Sequence, residues 1–136
     1  MPTPPLVFLV DDDHIVNYLH AELLRHFDPG IQVRTALNGQ EGLALLRAHC
    51  QTPPPRCPVL VLLDLNMPVL DGFEFLEAYQ HLPATERQGV VVFMLTSSVS
   101  PRDLERVRRL PVAGFLAKPL TKEMITQVLA DHFSSR

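Results

Sequence analysis

No apolar run in this sequence approaches the roughly 20 residues needed to span a bilayer, so nothing in it reads as a membrane helix. The first residues, Met1-Pro2-Thr3-Pro4-Pro5, lack a positive flank and a small-residue cleavage site and do not read as a signal peptide. A cytoplasmic protein with no membrane partner is the expectation. Positive charge is not in surplus either. The formal net charge is -3, so bulk electrostatics give no reason to expect nucleic-acid binding.

Cysteine is scarce. Cys50 and Cys57 are not spaced as CxxC, and Pro53-Pro54-Pro55 between them marks a loop. They read as two reduced thiols, with a redox or metal pair as the weaker alternative. The six histidines show no HExxH-like spacing, which argues against a zinc site. With 136 residues there is room for one domain with a proper core and, on this reading, none for a second, effector domain.

What is present is a strict alternation of strand and helix signals. Leu6 to Val10 is a short apolar run stopped by Asp11-Asp12-Asp13. Ile15, Val16, Leu19, Leu23 and Phe27 then recur at helical spacing, predicting a helix over His14 to Phe27. Ile31 to Ala36 alternates and carries β-branched residues, as a second strand would. A second helix is expected from Gln40 to about Cys50, with Leu43, Leu46 and Cys50 on one face. Val59 to Leu63 is a third strand, followed by a helix from Phe73 to about His81 that buries Phe75, Leu76 and Tyr79. Val90 to Leu95 is a fourth strand, and a fourth helix starts at Pro101 and runs to about Arg109. Gly114 to Ala117 is a brief fifth strand. Thr121 can cap a last helix in which Ile125, Val128, Leu129 and His132 line up. Five βα units in a row predict an α/β fold: a parallel sheet with helices on both faces.

In such open sheets ligands bind at the carboxyl edge of the strands. Strand one delivers Asp11 and Asp12 to that edge, strand three Asp64, strand four Thr96 and strand five Lys118. Taken singly each has a plainer role: a helix cap, a turn hydroxyl, a surface lysine. Their joint order is what carries meaning. Clustered carboxylates repel unless a cation joins them. A hard divalent ion suits oxygen ligands, and Mg²⁺ is the usual one where phosphate is handled. A carboxylate beside it can attack phosphorus, with an ammonium and a hydroxyl gripping the transferred oxygens.

At this point the sequence resembles the receiver domain of two-component response regulators. The matching segments are Leu9-Val10-Asp11-Asp12, Leu63-Asp64-Leu65-Asn66-Met67-Pro68 with Asp71-Gly72, Met94-Leu95-Thr96-Ser97, and Lys118-Pro119. The resemblance runs from Leu6 to about Phe133. It implies a flavodoxin-like, doubly wound sheet of five parallel strands in the order 2-1-3-4-5 with five helices. It implies Asp64 as the phosphoacceptor, with Asp11, Asp12, Asp64 and the backbone carbonyl of Asn66 around Mg²⁺. Thr96 takes the place of the switch hydroxyl and Lys118 pairs with the phosphoryl group. Phe115 takes the place of the switch aromatic, often Tyr in the family, and lacks that hydroxyl. Pro119 matches the family's usual cis-proline. Asp13 lies outside the aligned pair and reads as a helix cap, with a water-mediated metal role as the alternative. Asn66 and Ser98 occupy the positions that tune phosphate lifetime, and neither is a strong acid or base.

The resemblance further implies a sensor histidine kinase or histidine-phosphotransfer domain as donor and a downstream protein as target. The surface of helix four, strand five and helix five would switch, and could also form a homodimer. Direct DNA binding is not expected. Arg102, Arg106, Arg108 and Arg109 give helix four a basic face against Asp103 and Glu105, suited to an acidic partner or simply solvated. The competing enzyme reading is an aspartyl-phosphate phosphatase on a similar scaffold. It needs a second aspartate two residues past the nucleophile, where this chain has Asn66. A flavin- or nucleotide-binding module is disfavoured because no GxGxxG or P-loop follows strand one.

Overall fold

The computed structural model describes residues 5–51, 58–65, 70–96, 101–110 and 112–133, the side chains of 103, 104, 106 and 107 excepted. Five strands, β1 (Leu6–Val10), β2 (Gln32–Ala36), β3 (Val59–Asp64), β4 (Val90–Thr96) and β5 (Gly114–Ala117), form one sheet in the order 2-1-3-4-5. Every pairing is parallel. The helices are α1 (His14–Phe27), α2 (Gly39–Cys50), α3 (Gly72–Gln80), α5 (Pro101–Arg108) and α6 (Lys122–His132), with α4 (Ala84–Arg87) a single turn between α3 and β4. This is the flavodoxin-like arrangement. The five expected helices are present, and α5 and α6 are the fourth and fifth of them. The extra turn, α4, is only four residues long and has no side-chain cap, so it leaves no periodic signal.

β1 and β3 are buried along their whole length. Leu6, Phe8 and Val10 with Val59, Val61 and Leu63 feed one core cluster, which Leu46 of α2 and Phe75 and Leu76 of α3 complete. Val7, Leu9, Leu60 and Leu62 feed the other, with Leu24 of α1 and Ile125 and Val128 of α6. The sheet is thus sandwiched, and its edge strand β2 is mostly exposed.

Helix α1 departs from its apolar spacing. It buries Asn17, His20, Ala21 and Leu24, an i, i+3, i+4, i+7 face. Ile15 and Leu19 stand 59% and 58% exposed, with Tyr18 between them at 62%. The helix is rotated so that two polar residues, not the apolar ridge, meet the end of the sheet. Both find backbone partners there, described below.

Two glycines hold the edge tight. A Cβ on Gly72 would lie 2.7 Å from the carbonyl oxygen of Asp64 and 2.8 Å from Cε of Met94. α3 therefore starts directly against the last residue of β3, and the Gly72 N–H donates to the Leu65 carbonyl at 3.0 Å. A Cβ on Gly39 would collide with the Leu70 carbonyl, to which its own N–H donates.

Candidate phosphoacceptor site

The sheet register brings the expected residues to one rim. Asp64 ends β3 opposite Leu95, one residue before Thr96. Thr96 ends β4 opposite Ala117, one residue before Lys118. The Lys118 N–H donates to the Thr96 carbonyl at 2.8 Å, which extends the ladder by one rung. Asp11 follows β1, and its N–H donates to the Ala36 carbonyl at 3.1 Å. Asp11, Asp64 and Thr96 are buried, and Asp12 is exposed.

Oxygens of Asp11, Asp12 and Asp64 lie within 4.8 Å of one another. The Lys118 ammonium bridges two of them, with Nζ 2.7 Å from Asp11 Oδ2 and 3.3 Å from Asp64 Oδ1. Burial alone would lower the lysine pKa. The two carboxylates outweigh it, and the net direction is upward. Lys118 is therefore held charged. Asp11 Oδ1 accepts the Asp13 N–H at 3.0 Å. Asp11 Oδ2 is buried, with the Lys118 ammonium as its close partner among the described residues.

One lysine against three carboxylates leaves two negative charges in a small space. That surplus and the crowding of carboxylate oxygens suit a hard divalent cation. The residues present therefore fit Mg²⁺. The fourth expected ligand, the Asn66 carbonyl, lies outside the described residues, as do Met67, Pro68, Ser97 and Ser98.

Asp13 caps α1: its carboxylate accepts the N–H groups of Ile15 and Val16. Asp71 and Glu74 form a capping box at the start of α3. Phe115 is half-buried and packs on the α2–α3 side of the sheet, its position on β5 opposite Met94 of β4. Lys118-Pro119 is cis. In α5, Arg108 pairs with Glu105 at 3.2 Å, both exposed, and the side chain of Arg106 is outside the described set.

A family model for the response regulator receiver domain matches residues 7–130. The chain belongs to the response regulator receiver family. Among curated proteins this receiver is 27% identical over 131 residues to the transcriptional regulatory protein CitT of Bacillus subtilis. That match covers 96% of the chain and 53% of CitT. It is 28% identical over 129 residues to a probable chemotaxis protein CheY of Rhizobium etli, covering 95% and 92% of the two chains. Among solved structures it superposes on a response regulator receiver protein from Dyadobacter fermentans with a TM-score of 0.81. The two are 30% identical, and 95% and 98% of the chains are covered. The receiver thus spans about half of CitT and nearly all of the CheY relative.

Two residues that touch this rim carry no signal in the apolar pattern. Asn17 Nδ2 donates to the carbonyls of Asp11 (3.0 Å) and Ala36 (3.1 Å), joining the ends of β1 and β2. His20 Nε2 accepts the Leu120 N–H at 3.2 Å. A polar pair three residues apart, in step with Ala21 and Leu24, is the pattern that would have found them.

Proposed function

We propose that this receiver is a phosphorylation-driven binding module in which Asp64 accepts a phosphoryl group. Its donor is a sensor histidine kinase or a histidine-phosphotransfer domain. A carboxylate oxygen of Asp64 attacks phosphorus, the P–N bond to the donor histidine breaks, and the imidazole leaves with its electron pair and takes up a proton. The chain then carries an acyl phosphate and acts as a signalling domain, catalysing only its own phosphorylation and dephosphorylation. The observation that carries this reading is the Lys118 ammonium set between Asp11 and Asp64. It holds a fixed positive charge beside the oxygen that would attack.

Each side chain has one task. Asp11 and Asp12, with Asp64 and the Asn66 carbonyl, would hold Mg²⁺. The ion supplies charge neutralisation for the phosphoryl oxygens. Lys118 exchanges its Asp64 contact for a phosphoryl oxygen. Thr96, tied to Lys118 through the strand-end hydrogen bond, offers its hydroxyl to another. Movement of Thr96 leaves space that Phe115 enters from β5, shifting the α5–β5–α6 surface. A downstream protein, or a second copy of the chain, reads that surface. Output by protein contact or phosphate relay, in the cytoplasm, is the form of signalling this reading expects of the receiver.

Donor docking has physical support. Ile15, Tyr18 and Leu19 form an exposed apolar ridge on α1 beside the acidic loop. Next to it, Val16, Leu19, Leu23, Pro119 and Leu120 line a groove of about 340 Å³. A helical partner seated there would face the rim that carries Asp64.

The test is Mg²⁺-dependent labelling by phosphoramidate, comparing the parent with Asp64→Asn. The parent should take one equivalent and the variant none. Equal labelling of the two removes Asp64 as acceptor. Sustained release of many equivalents from phosphate esters would favour a phosphatase.

A further inference from the structure

The two halves of the rim lie far apart in the sequence, and α1 joins them. Asn17, 3% exposed, holds the carbonyl of Asp11. One turn later His20, 5% exposed, accepts the N–H of Leu120 across a separation of 100 residues. Leu120 is two residues past Lys118, whose ammonium returns to Asp11. The circuit closes: Asp11, α1, His20, Leu120, Lys118 and Asp11 again. We propose that His20 is a positioning residue for Lys118, its Nε2 fixing the backbone that sets where the ammonium sits against Asp11 and Asp64.

The chemistry of the bond is specific. An imidazole accepts only through an unprotonated nitrogen, so His20 must be neutral with its proton on Nδ1. Its surroundings enforce that form. Burial and the Lys118 charge disfavour imidazolium and together outweigh Asp11, and the His20 pKa is lowered. Beside Lys118, the pocket wall is made of Val16, Leu19, Leu23, Pro119 and Leu120. Leu120 is itself buried, so without His20 its N–H would lose the acceptor that fixes it. The loop would shift to find one, and Lys118 would move with it.

This inference rests on the phosphoacceptor reading of Asp64, but the bond can be measured without it. In uniformly ¹⁵N-labelled protein, the expected result is a scalar coupling across the hydrogen bond between the Leu120 amide nitrogen and His20 Nε2, with the proton on Nδ1. Absence of that coupling, or an Nε2–H tautomer, overturns the proposal. The functional arm compares phosphoramidate labelling rates of the parent, His20→Gln and His20→Leu. Gln places Oε1 near the position of Nε2 and can accept, and Leu cannot. His20→Leu should label about tenfold more slowly, short of the roughly 10²-fold cost of an ångström-scale misplacement, and His20→Gln should recover most of the rate. A fast Leu variant, or a Gln variant as slow as Leu, overturns the positioning role. If the Leu variant does not fold, the coupling and the Gln rate against the parent decide. A parent that takes no label sinks the phosphoacceptor reading itself, whereas a labelled parent with an unaffected Leu variant sinks only the role of His20.

Discussion

Replacing Lys118 by Met isolates the electrostatics of the rim. The side chain is 20% exposed, and its partners Asp11 and Asp64 are 5% and 11% exposed, so solvent screening is weak. Removing one member of a buried pair costs about 3–5 kcal/mol because the other charge is left uncompensated. Here two carboxylates lose their cation while Asp12 repels both. Partial access of the lysine to water moderates the loss to about 2–4 kcal/mol in the absence of divalent ions. With a urea slope of about 2 kcal/mol/M, the unfolding midpoint should fall by about 1–2 M. The Lys118 pKa is raised in the folded state. Its contribution is therefore complete below the ordinary lysine value and fades only as pH climbs through the raised one, so pH 7 measures it in full. The assay is urea unfolding in EDTA and again in millimolar Mg²⁺. A divalent ion among the same carboxylates takes over the compensation, and the gap between parent and variant should shrink by more than half. A gap under about 0.5 kcal/mol in EDTA, the scale of an inert surface change, would refute the ion-pair argument. A gap that Mg²⁺ leaves unchanged would refute the assignment of these carboxylates to the metal.

Gly72→Ala should cost about 1–3 kcal/mol, because the new Cβ meets, besides the movable Met94 Cε, the backbone of Asp64 and Leu65, which cannot give way as a side-chain end can; an unchanged melting temperature would contradict that close approach. Burial pushes the Tyr79 phenol up to about 12. The neutral form is the one the fold accepts, so its stabilisation is full below the ordinary value of about 10 and is lost as pH rises through 12, on the order of 2 kcal/mol in all. An alkaline unfolding series in which Tyr79→Phe loses as much over that window as the parent would argue against it. Leu19→Ser should slow phosphoryl transfer from a histidine-phosphotransfer protein that labels the parent, and leave labelling by phosphoramidate unchanged. Equal slowing by both donors would mean that Leu19 shapes the site rather than a docking face.

Strands β1, β3 and β4 were legible because a strand buried on both faces has no polar alternation to confuse it, and each ends on a residue with distinct chemistry. The order Asp11, Asp64, Thr96, Lys118 could be read without coordinates because a parallel sheet sends every strand's C-terminus to the same edge. What could not be read is pairing. Nothing in the sequence says that Lys118 bridges Asp11 and Asp64, since that depends on a rung added between Lys118 and Thr96 beyond β5. The orientation of α1 was also hidden. Hydrophobic periodicity registers Ile15, Val16, Leu19 and Leu23, but a helix turns toward whatever satisfies the sheet end, and here that end offers backbone groups needing Asn17 and His20.

That orientation is costly in apolar burial. Fully burying a side chain of the size of Ile or Leu stabilises a fold by about 1.5–3 kcal/mol relative to leaving it exposed, and α1 forgoes much of that for Ile15 and Leu19 while spending its core positions on an amide and an imidazole. Each buried polar group recovers only about 0.5–1.5 kcal/mol net from a hydrogen bond. Stability alone would favour the opposite rotation. The two halves of the choice support each other only if the helix serves the rim on one side and a partner on the other. Asn17 and His20 tie the acidic loop and the lysine loop to α1, and the ridge they displace outward is the face proposed above for the phosphodonor. On the proposed reading of Asp64, a single helix rotation would prepare both the attacking carboxylate and the surface by which its phosphoryl group arrives.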